Sequence, residues 1–572
     1  MISLPLLFLL LLEGLLRLVS FGTSYPLFIE SAELKGYMQP NPHIIKRFFS
    51  HPNLAPDIQP DTFYFKSKKP DNSYRIVIQG GSSAAGFPFG RFGSLQGMLQ
   101  QRFKRLYPDK EIEVISTAMS AINSYALLDF TDEIIELDPD LILIYAGHNE
   151  YLGIMGIGSS YAVKGDRAAS LLFLSLKELR IFQLIQYIVN IFNREIENSD
   201  ESNSERTLMA NIAGNKEIVL NSETYQKGIE QFEQNLELIL DKYQSKNIPV
   251  IIGTLASNEK DQPPFASTQS EYSASSLYNQ AKELESDNKI SKARKMYINA
   301  KDRDLLRFRA PSYFNQIIKR QAQKEYIYLA DVQDEIRKHS DNRIIGFKHM
   351  YEHLHPNASG YFLLSEAYVD VIVKNKFISK DVSNYSREEA WKDVPLTKMD
   401  ILVADYKIKR LMADYPFKTR KKEVEFGKID SYEKQLALQK FKGESWLNLQ
   451  QELLAHYQRS TSKDYSQAAK VAGILFDSIP NNAQTAWVAG QLYLENNDPK
   501  MALYYHYKAV SLEPNSTTYL MSLAYSSYLN NQKENSLNYL NQVISLKPSH
   551  QIAAKQKQRI EQELKNEQKT NQ

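Results

Sequence analysis

Three polar side chains of this chain, each close to a short apolar run, have the types needed for a nucleophile, its base and an electrostatic stabiliser. Ser82 lies in a stretch of small residues that follows the apolar run Ile76-Val77-Ile78. At such a strand-to-helix turn, backbone N–H groups and the helix dipole favour negative charge on the serine oxygen. A serine there is also a good helix cap, so a structural role is the alternative.

Asn149 and a histidine-rich segment supply the other two groups. Asn149 comes shortly after a second apolar run, where its side-chain N–H can point at an oxyanion. Glu352 and His355 are three residues apart, so the carboxylate could orient the imidazole as a base for the serine. His353 competes with His355 for the role of base. The order of these motifs and their positions at strand ends predict one joint site.

The glycines near Ser82 do not match any of three well-known glycine-rich motifs that occupy a strand-to-helix turn. A phosphate-binding P-loop needs Gly-Lys-Ser/Thr, but Phe87 follows Gly86. The Gly-x-Gly-x-x-Gly pattern of dinucleotide-binding folds is absent from this turn. The serine elbow of α/β-hydrolases needs a glycine two residues after the serine, where this chain has Ala84.

The histidine-rich segment also holds residues of the types that ligate metals, namely His349, Glu352, His353 and His355. The His-Glu-x-x-His helix motif is absent, and Pro356 suits a junction between a loop and a helix rather than a continuous ligand helix. We therefore expect no metal and no cofactor.

Short β-branched runs alternate with helical patterns between residues 74 and 330. The runs lie at residues 76–78, 114–115, 141–144, 250–252 and 327–329, with helical patterns such as 95–106 and 225–243 between them. This alternation is typical of βαβ units, so we predict a three-layer α/β fold with a mostly parallel sheet covered on both faces. Chemistry in such sheets is found where the strands end.

The C-terminal third has a different pattern. Pro480, Pro514 and Pro548 are spaced 34 residues apart, which is the period of tetratricopeptide repeats. Small residues such as Gly490 and Ala502 fall where two helices of a repeat approach closely. We predict an all-α repeat domain, with an ordinary helical bundle as the alternative. Such repeats imply a protein or peptide partner.

One further helical hairpin is predicted inside the α/β region. Ala281, Ala293 and Ala300 have the same mutual spacing as the small residues of a repeat but lie between two predicted strands. The predicted organisation is a membrane anchor or signal-like helix at 1–28, a connecting segment at 29–73, the α/β domain at 74–380 with the hairpin inserted at about 272–303, a helical linker at 381–442, repeats at 443–560 and a polar tail at 561–572.

Three blocks of residues resemble the SGNH (GDSL-type) hydrolase superfamily over residues 74–375. They are Gly80-Gly81-Ser82 with Gly86, Gly147-His148-Asn149-Glu150, and Glu352-His353-Leu354-His355-Pro356. The resemblance implies a flavodoxin-like fold. It also implies Ser82 as the nucleophile, His355 as the base and Glu352 as its orienting carboxylate. Asn149 and the backbone N–H of Ala118 are the implied oxyanion donors.

Two positions depart from the family pattern. Gly81 replaces the usual aspartate, and Ala118 stands where the family has a glycine whose backbone N–H serves the oxyanion hole. An alanine can still donate that N–H if its backbone is not left-handed. The residues expected to bind substrate are Gly81, Asn123, His148, Arg307 and Arg309. For the two arginines, a surface ion pair is the alternative.

The resemblance implies a serine esterase that hydrolyses an ester, such as an O-acetyl group, on a glycan, a lipid or a small molecule. Acyl transfer to a sugar hydroxyl would use the same residues. A different hypothesis is a degenerate SGNH domain that binds a ligand while the repeats recruit a partner. The lost block-two glycine favours this hypothesis, and the joint presence of Ser82, Asn149 and His355 opposes it.

The composition narrows the class of protein. The 572 residues include 69 Lys and Arg and 67 Asp and Glu, a net charge of +2, so no global basic field exists to hold nucleic acid. We predict no nucleic-acid partner. Cysteine is absent, which excludes disulfides, thiolate nucleophiles and cysteine-based metal sites.

The N-terminus is strongly apolar over residues 3–21, about one bilayer crossing of helix. Glu13 and Arg17 interrupt the run four residues apart and can pair on one helical face. Because no basic residue precedes the run, we predict an uncleaved membrane anchor rather than a signal peptide. A buried helix is the alternative. The overall organisation resembles bacterial membrane-associated SGNH proteins, so we expect an inner-membrane protein with its soluble part in the periplasm.

Overall fold

The computed structural model describes residues 3–50, 52–159, 166–193, 207–209, 217–459 and 464–570. Strands in these ranges form a small antiparallel sheet and a larger parallel one. In chain order they are β1 (Phe28–Glu30), β2 (Tyr37–Pro40), β3 (Phe65–Lys66), β4 (Ser73–Gly80), β5 (Glu111–Ser116), β6 (Leu141–Tyr145), β7 (Val250–Gly253) and β8 (Ile327–Ala330).

The helices of the first two thirds surround the parallel sheet or precede it. They are α1 (Ser3–Leu18), α2 (Ser82–Ala85), α3 (Leu95–Leu106), α4 (Ser124–Ile135), α5 (Arg167–Leu176), α6 (Arg180–Asn193), α7 (Glu223–Gln244), α8 (Ala274–Ser286), α9 (Ile290–Asp302), α10 (Ser312–Gln321), α11 (Val332–His339) and α12 (Ala358–Lys374).

The remaining helices make up the C-terminal part. They are α13 (Arg387–Lys392), α14 (Lys398–Met412), α15 (Tyr432–Phe441), α16 (Trp446–Arg459), α17 (Tyr465–Ser478), α18 (Ala483–Glu495), α19 (Pro499–Leu512), α20 (Thr517–Leu529), α21 (Lys533–Leu546) and α22 (Gln551–Thr570). The last helix runs through residue 560, where the repeats were predicted to end.

The parallel sheet has the strand order β5-β4-β6-β7-β8. Of its three central strands, β6 and β7 are apolar and fully buried, and β4 is buried from Arg75 to Gly80, as expected of parallel strands that are covered on both faces. Helices α3 and α12 pack near β5 and β8, and α4 packs against α7. The predicted fold class, a three-layer α/β region followed by an all-α region, is confirmed.

The N-terminal helix corrects one prediction. Helix α1 has 16 residues, about 24 Å, and within the described ranges we find no helix with the length and apolar character needed to cross a bilayer. The transmembrane anchor at the N-terminus and the inner-membrane localisation are therefore wrong, whereas membrane contact through 3–21 stays a prediction. Glu13 pairs with Arg17 and also accepts hydrogen bonds from the backbone N–H groups of Arg180 and Ile181, so α1 lies beside the start of α6.

Each proline of the 34-residue period lies in the turn between two helical hairpins. Pro480 separates α17 from α18, Pro514 separates α19 from α20, and Pro548 separates α21 from α22. Within a hairpin the small residues permit close approach, since a Cβ added at Gly490 would lie 2.3 Å from the ring of His506. The sequence period thus marks the stacking of the repeats correctly.

The inserted hairpin is formed by α8 and α9, between β7 and β8. Its three alanines, Ala281, Ala293 and Ala300, are completely buried between the two helices. Further along the chain, α14 buries Met399 and Val403 in the core of the repeats. The stretch predicted as a linker at 381–442 is therefore divided between the two cores, because Ala390, Val394 and Leu396 are buried in the core of the α/β region.

Ion pairs join the repeats to the α/β region at helix α3. The guanidinium of Arg105 donates to both carboxylate oxygens of Asp498, at 3.0 and 2.7 Å, and to Asp393 at 2.8 Å. Lys104 pairs with Asp477 on α17. Because these side chains are largely shielded from solvent, they interact more strongly than surface pairs do.

We expect Arg105→Gln to loosen this junction. The variant leaves two shielded carboxylates without their cation, a change that costs about 3 kcal/mol in comparable buried pairs. In urea denaturation, the midpoint of unfolding should lie at a lower urea concentration than in the native chain. Arg410→Gln is the matched control, because Arg410 is exposed and forms no ion pair with the described residues. Equal midpoints for the two variants would contradict the junction described above.

Candidate active site

Ser82 is placed by the tight turn between β4 and α2. A Cβ added at Gly80 would lie 2.4 Å from the carbonyl oxygen of Tyr145, so β4 and β6 approach here as only glycine allows. Gly81 is the N-cap of α2, and Ser82 is its first residue. The serine hydroxyl therefore stands at the carboxyl end of a central strand, which is where parallel sheets place their functional groups.

The loop that carries the histidines is closed on itself before α12 begins. Met350 pairs with Pro356 in an isolated β-bridge, and the N–H of Tyr351 donates to the carbonyl of His355 at 2.8 Å. Asn357 caps α12 by accepting from the N–H of Gly360. The ends of the loop are thus held while its middle faces the turn at Ser82.

Ser82, His355 and Glu352 form a continuous chain of contacts. His355 Nε2 is 2.8 Å from Ser82 Oγ, and His355 Nδ1 contacts Glu352 Oε1. Glu352 is completely buried and also accepts hydrogen bonds from the backbone N–H groups of His353 and His355, at 2.7 and 2.8 Å. This is the geometry of a nucleophile, a base and a group that orients the base.

The imidazole of His355 is set up to accept a proton. It is 8% exposed and lies against the ring of Phe87, with 4.6 Å between ring centroids. Burial lowers the pKa of His355 to about 3, so the ring is neutral at pH 7. A neutral ring with Nδ1 on a carboxylate has Nε2 free to act as acceptor for the serine proton.

His353 does not face the serine. Its Nδ1 contacts Glu352 Oε2, on the side of the carboxylate away from His355. Its ring is enclosed by the edges and faces of Phe265, Phe308 and Phe417, with centroids 5.3 to 5.7 Å away. Burial holds its pKa well below 6.5, so it too is neutral. Of the two histidines that competed in the sequence, the structure brings His355 to Ser82.

Asn149 approaches the turn at Ser82 from the end of β6. Its Nδ2 donates to the carbonyl of Ile122 at 3.0 Å, which leaves the second hydrogen of the amide available. A Cβ added at Gly81 would lie 2.9 Å from that same Nδ2. Gly81 therefore lies directly against the Asn149 amide.

Ala118 and Ala121 differ in whether their backbone N–H groups donate a hydrogen bond within the described part of the chain. The N–H of Ala118 donates to Ser116 Oγ at 3.3 Å. Ala121 has a left-handed backbone with φ of 64°, and its N–H meets no acceptor among the described residues. The carbonyl of Ala121 accepts from Ile154 at 2.8 Å, which fixes this segment to the loop of Asn149. Sequence reasoning missed Ala121.

His148, Asn123 and Glu150 lie in the wall behind Asn149. His148 Nδ1 accepts from the N–H of Ala310 at 3.1 Å, and burial lowers the pKa of His148 to about 3. Asn123 caps α4 through Oδ1, while its buried Nδ2 has no partner in the described part of the chain. Glu150 is fully buried and accepts from the hydroxyl of Ser124 at 2.6 Å.

Arg307 and Arg309 are buried and held largely by the protein itself. Arg307 donates to the carbonyls of Ile218 and Asp302, both at 2.9 Å. Arg309 pairs with Asp304 at 2.9 Å and donates to two backbone carbonyls. Neither forms the surface ion pair that was the alternative, and neither is brought to Ser82. Substrate recognition through them stays a prediction.

Glu352, His353 and His355 are also the residues that could ligate a metal, since their ligand atoms lie within 4.8 Å of one another. These atoms contact each other directly, imidazole nitrogen against carboxylate oxygen. Zinc ligands instead surround the ion at about 2 Å each and are separated by it. The fourth histidine of the segment, His349, bonds to Ser359 and to the carbonyl of His339. The arrangement favours the hydrogen-bonded chain.

Comparisons with known proteins give fold-level matches. No family model matches the chain, and no curated protein does. Among solved structures, a Bacteroides fragilis protein assigned as an acylhydrolase shares 13% identity, over 54% of this chain and 90% of its own, with a TM-score of 0.27. A GDSL-like lipase from Bacteroides thetaiotaomicron shares 13% identity, over 54% and 92%, with a TM-score of 0.26.

The repeats have a match of their own. The first tetratricopeptide domain of Spaghetti, bound to an HSP90 peptide, shares 18% identity over 21% of this chain and 92% of its own, with a TM-score of 0.19. Resemblance at this level is one of fold. We therefore argue function from the geometry of the site.

The burial of His148 predicts a pH-dependent stability. Its folded-state pKa of about 3 lies below the unfolded value of about 6.5, so the unfolded chain binds more protons between these values and stability falls as the pH is lowered below about 6.5. His148→Asn keeps an acceptor for the Ala310 N–H but removes the titration. The free energy of unfolding should then depend less steeply on pH, by about 1.4 kcal/mol per unit between about pH 6 and pH 4. An unchanged slope would rule this out.

Proposed function

We propose that this protein is a serine esterase of the SGNH (GDSL) type, a hydrolase that acts on ester bonds. The observation that carries the proposal is the 2.8 Å separation between Ser82 Oγ and His355 Nε2, with Glu352 on the other ring nitrogen. A serine hydroxyl becomes a nucleophile when a positioned, neutral base accepts its proton. The order Ser, His, carboxylate in space is that of a catalytic triad.

In the first step, Ser82 Oγ attacks the ester carbonyl as His355 Nε2 takes its proton. The imidazolium that forms is stabilised by the buried carboxylate of Glu352, which contacts Nδ1 of the His355 ring. His355 then gives the proton to the leaving alcohol, and an acyl group remains on Ser82. In the second step a water oxygen attacks the acyl carbonyl as His355 Nε2 takes a proton from that water. The bond to Ser82 Oγ then breaks, the acid leaves, and His355 returns the proton to Ser82 Oγ.

The negatively charged oxygen that forms on the attacked carbonyl requires hydrogen-bond donors that converge on it. We assign this role to the second hydrogen of Asn149 Nδ2 and to the backbone N–H of Ser82 at the start of α2. For a third donor we favour Ala121 over Ala118, because the N–H of Ala118 is already taken by Ser116. A left-handed alanine costs about 1 kcal/mol, which is typical of strain kept at functional sites.

The proposed substrate is a class of compounds, the carboxylic esters, rather than one compound. An ester on a glycan, a lipid or a small molecule fits the residues, an O-acetyl group among them. Acyl transfer to a sugar hydroxyl would use the same first step and would differ only in the molecule that accepts the acyl group. The proposal of a degenerate binding scaffold loses support, because it predicts a serine beyond hydrogen-bond reach of both histidines and the separation is 2.8 Å.

The repeats would recruit a protein or peptide. Helices α17 and α19 use Asp477 and Tyr505 to contact Lys104 of the α/β region. Helices α18 and α20 pack side by side on another face, where Trp487 donates to Ser522. Because one face of the repeat stack contacts the α/β region, the face formed by α18 and α20 is the one that we assign to a partner.

Ser82→Ala and His355→Ala should each abolish labelling by a fluorophosphonate probe and lower kcat for a simple acetyl ester at least about 10³-fold. Ser83→Ala is the matched control, since Ser83 is the next residue and its hydroxyl lies 3.5 Å from the carbonyl of Leu354 rather than near a base. It should retain labelling and turnover. Equal activity of the Ser82 and Ser83 variants would refute the esterase proposal.

Gly81→Ala tests Asn149 separately from the nucleophile. The backbone of Gly81 is extended enough for alanine, but the new Cβ would lie 2.9 Å from Asn149 Nδ2 and push the amide aside. We expect kcat to fall about tenfold or more with KM little changed, as when an oxyanion donor is weakened. Gly14→Ala, where a Cβ meets nothing within 4 Å, is the control. A native kcat in Gly81→Ala would remove Asn149 from the oxyanion hole.

A further inference from the structure

A cleft of about 280 Å³ lies where the repeats meet the α/β region, apart from the site of Ser82. Helix α3 and strand β5 form one wall, and helices α17 and α19 form the other. Its volume suits a small molecule rather than a stretch of polypeptide. None of the residues assigned to the ester chemistry lines it.

Basic side chains in this cleft exceed the acidic groups available to them. Two lining lysines have partners, because Lys104 pairs with Asp477 and Lys66 with Glu111. The third lining carboxylate belongs to Glu113, and Arg75 occupies it. The carboxylates of the cleft are therefore committed to other cations.

Three cations remain without an ion pair among the described residues: Arg91, Lys110 and Lys508. Arg91 donates one N–H to the carbonyl of Asp477 at 3.0 Å, and its buried Nε has no partner. Lys508 has its ammonium 5.6 Å from the ring centroid of Tyr504. A cation that is shielded in a cleft and forms no ion pair favours binding of an anion there.

Aromatic rings line the same cleft. Phe63 and Tyr64 come from the segment before β4, and Tyr507 comes from α19. Tyr507 is 54% exposed, so about half of its surface is accessible to a ligand. The cleft thus combines cations that match a phosphate with rings on which a planar group can stack.

We propose that this cleft binds a small molecule that carries a phosphate group and a planar ring. The phosphate lies between Arg91 and Lys508, and the ring lies against Tyr507. Because Arg91 belongs to the α/β region and Lys508 to the repeats, one ligand contacts both parts of the chain. This site is independent of the ester chemistry at Ser82.

The desolvation of the two cations supports the assignment. Burial lowers the pKa of Arg91 to about 10, with Asp477 and Asp61 opposing the shift, and burial also lowers the pKa of Lys508. Desolvation of these two cations therefore lowers the stability of the folded chain. An anion would remove that cost, which is the pattern of a binding site kept at the expense of stability.

Calorimetric titration of the full chain with phenyl phosphate tests the proposal, with inorganic phosphate and phenol as the two halves of the probe. We expect phenyl phosphate to bind more tightly than either half. Lys508→Gln should weaken its binding at least about tenfold, the effect of losing one charge-assisted contact. The thermal midpoint of the unliganded variant should stay level or rise, since an unpaired cation is removed.

Two controls separate this site from others. Lys500→Gln makes the same change on the same helix at an exposed position outside the cleft and should leave the affinity unchanged. Ser82→Ala should also bind phenyl phosphate as the native chain does, which excludes binding at the catalytic serine. Absence of binding to the native chain, or equal affinity in Lys508→Gln, would overturn the proposal. Equal binding of inorganic phosphate would overturn the role of the ring.

Discussion

The buried carboxylate of Glu352 is the constraint on which the candidate active site depends. A negative charge that is removed from water must be surrounded by donors, or it will not stay ionised. Glu352 meets this need with two backbone N–H groups and the imidazole of His355, all within its own loop. Satisfying the charge fixes the backbone from residue 352 to residue 355. The direction of the His355 ring towards Ser82 follows from it.

The parallel sheet supplies the other half of the arrangement. Gly80 at the end of β4 is in register with Tyr145 at the end of β6, so the turns that follow these two strands are neighbours. Ser82 and Asn149 are 67 residues apart in sequence and are brought together by that register alone. The sheet positions the nucleophile and the amide, whereas the base arrives on a loop that makes its own internal contacts.

The parts of this structure that could be predicted from the sequence are those encoded locally. Apolar runs mark the central strands because both faces of a parallel strand are buried, and the spacing of Pro480, Pro514 and Pro548 marks the turns between hairpins. The sequence also named the serine, the asparagine and the Glu-x-x-His pair that the structure brings together. Their chemistry stays a proposal.

What the sequence could not reveal depends on distant partners. The apolar run at the N-terminus suggested a membrane span, because nothing local shows that Glu13 caps the start of α6. Arg307 and Arg309 suggested substrate contacts, yet their acceptors lie mostly elsewhere in the fold. The left-handed backbone of Ala121 carries no sequence signal, since alanine rarely adopts it.

Phe417 links the two halves of the chain in a way that limits how they can be separated. It follows α14, whose inner face is buried with the repeats, and its ring packs against His353, the neighbour of Glu352. A fragment that stopped at residue 380 would keep Ser82, Glu352 and His355 but would expose the ring of His353. The α/β region is therefore not an exchangeable module, and chimaeras that swap the repeats must keep Phe417 with the α/β region.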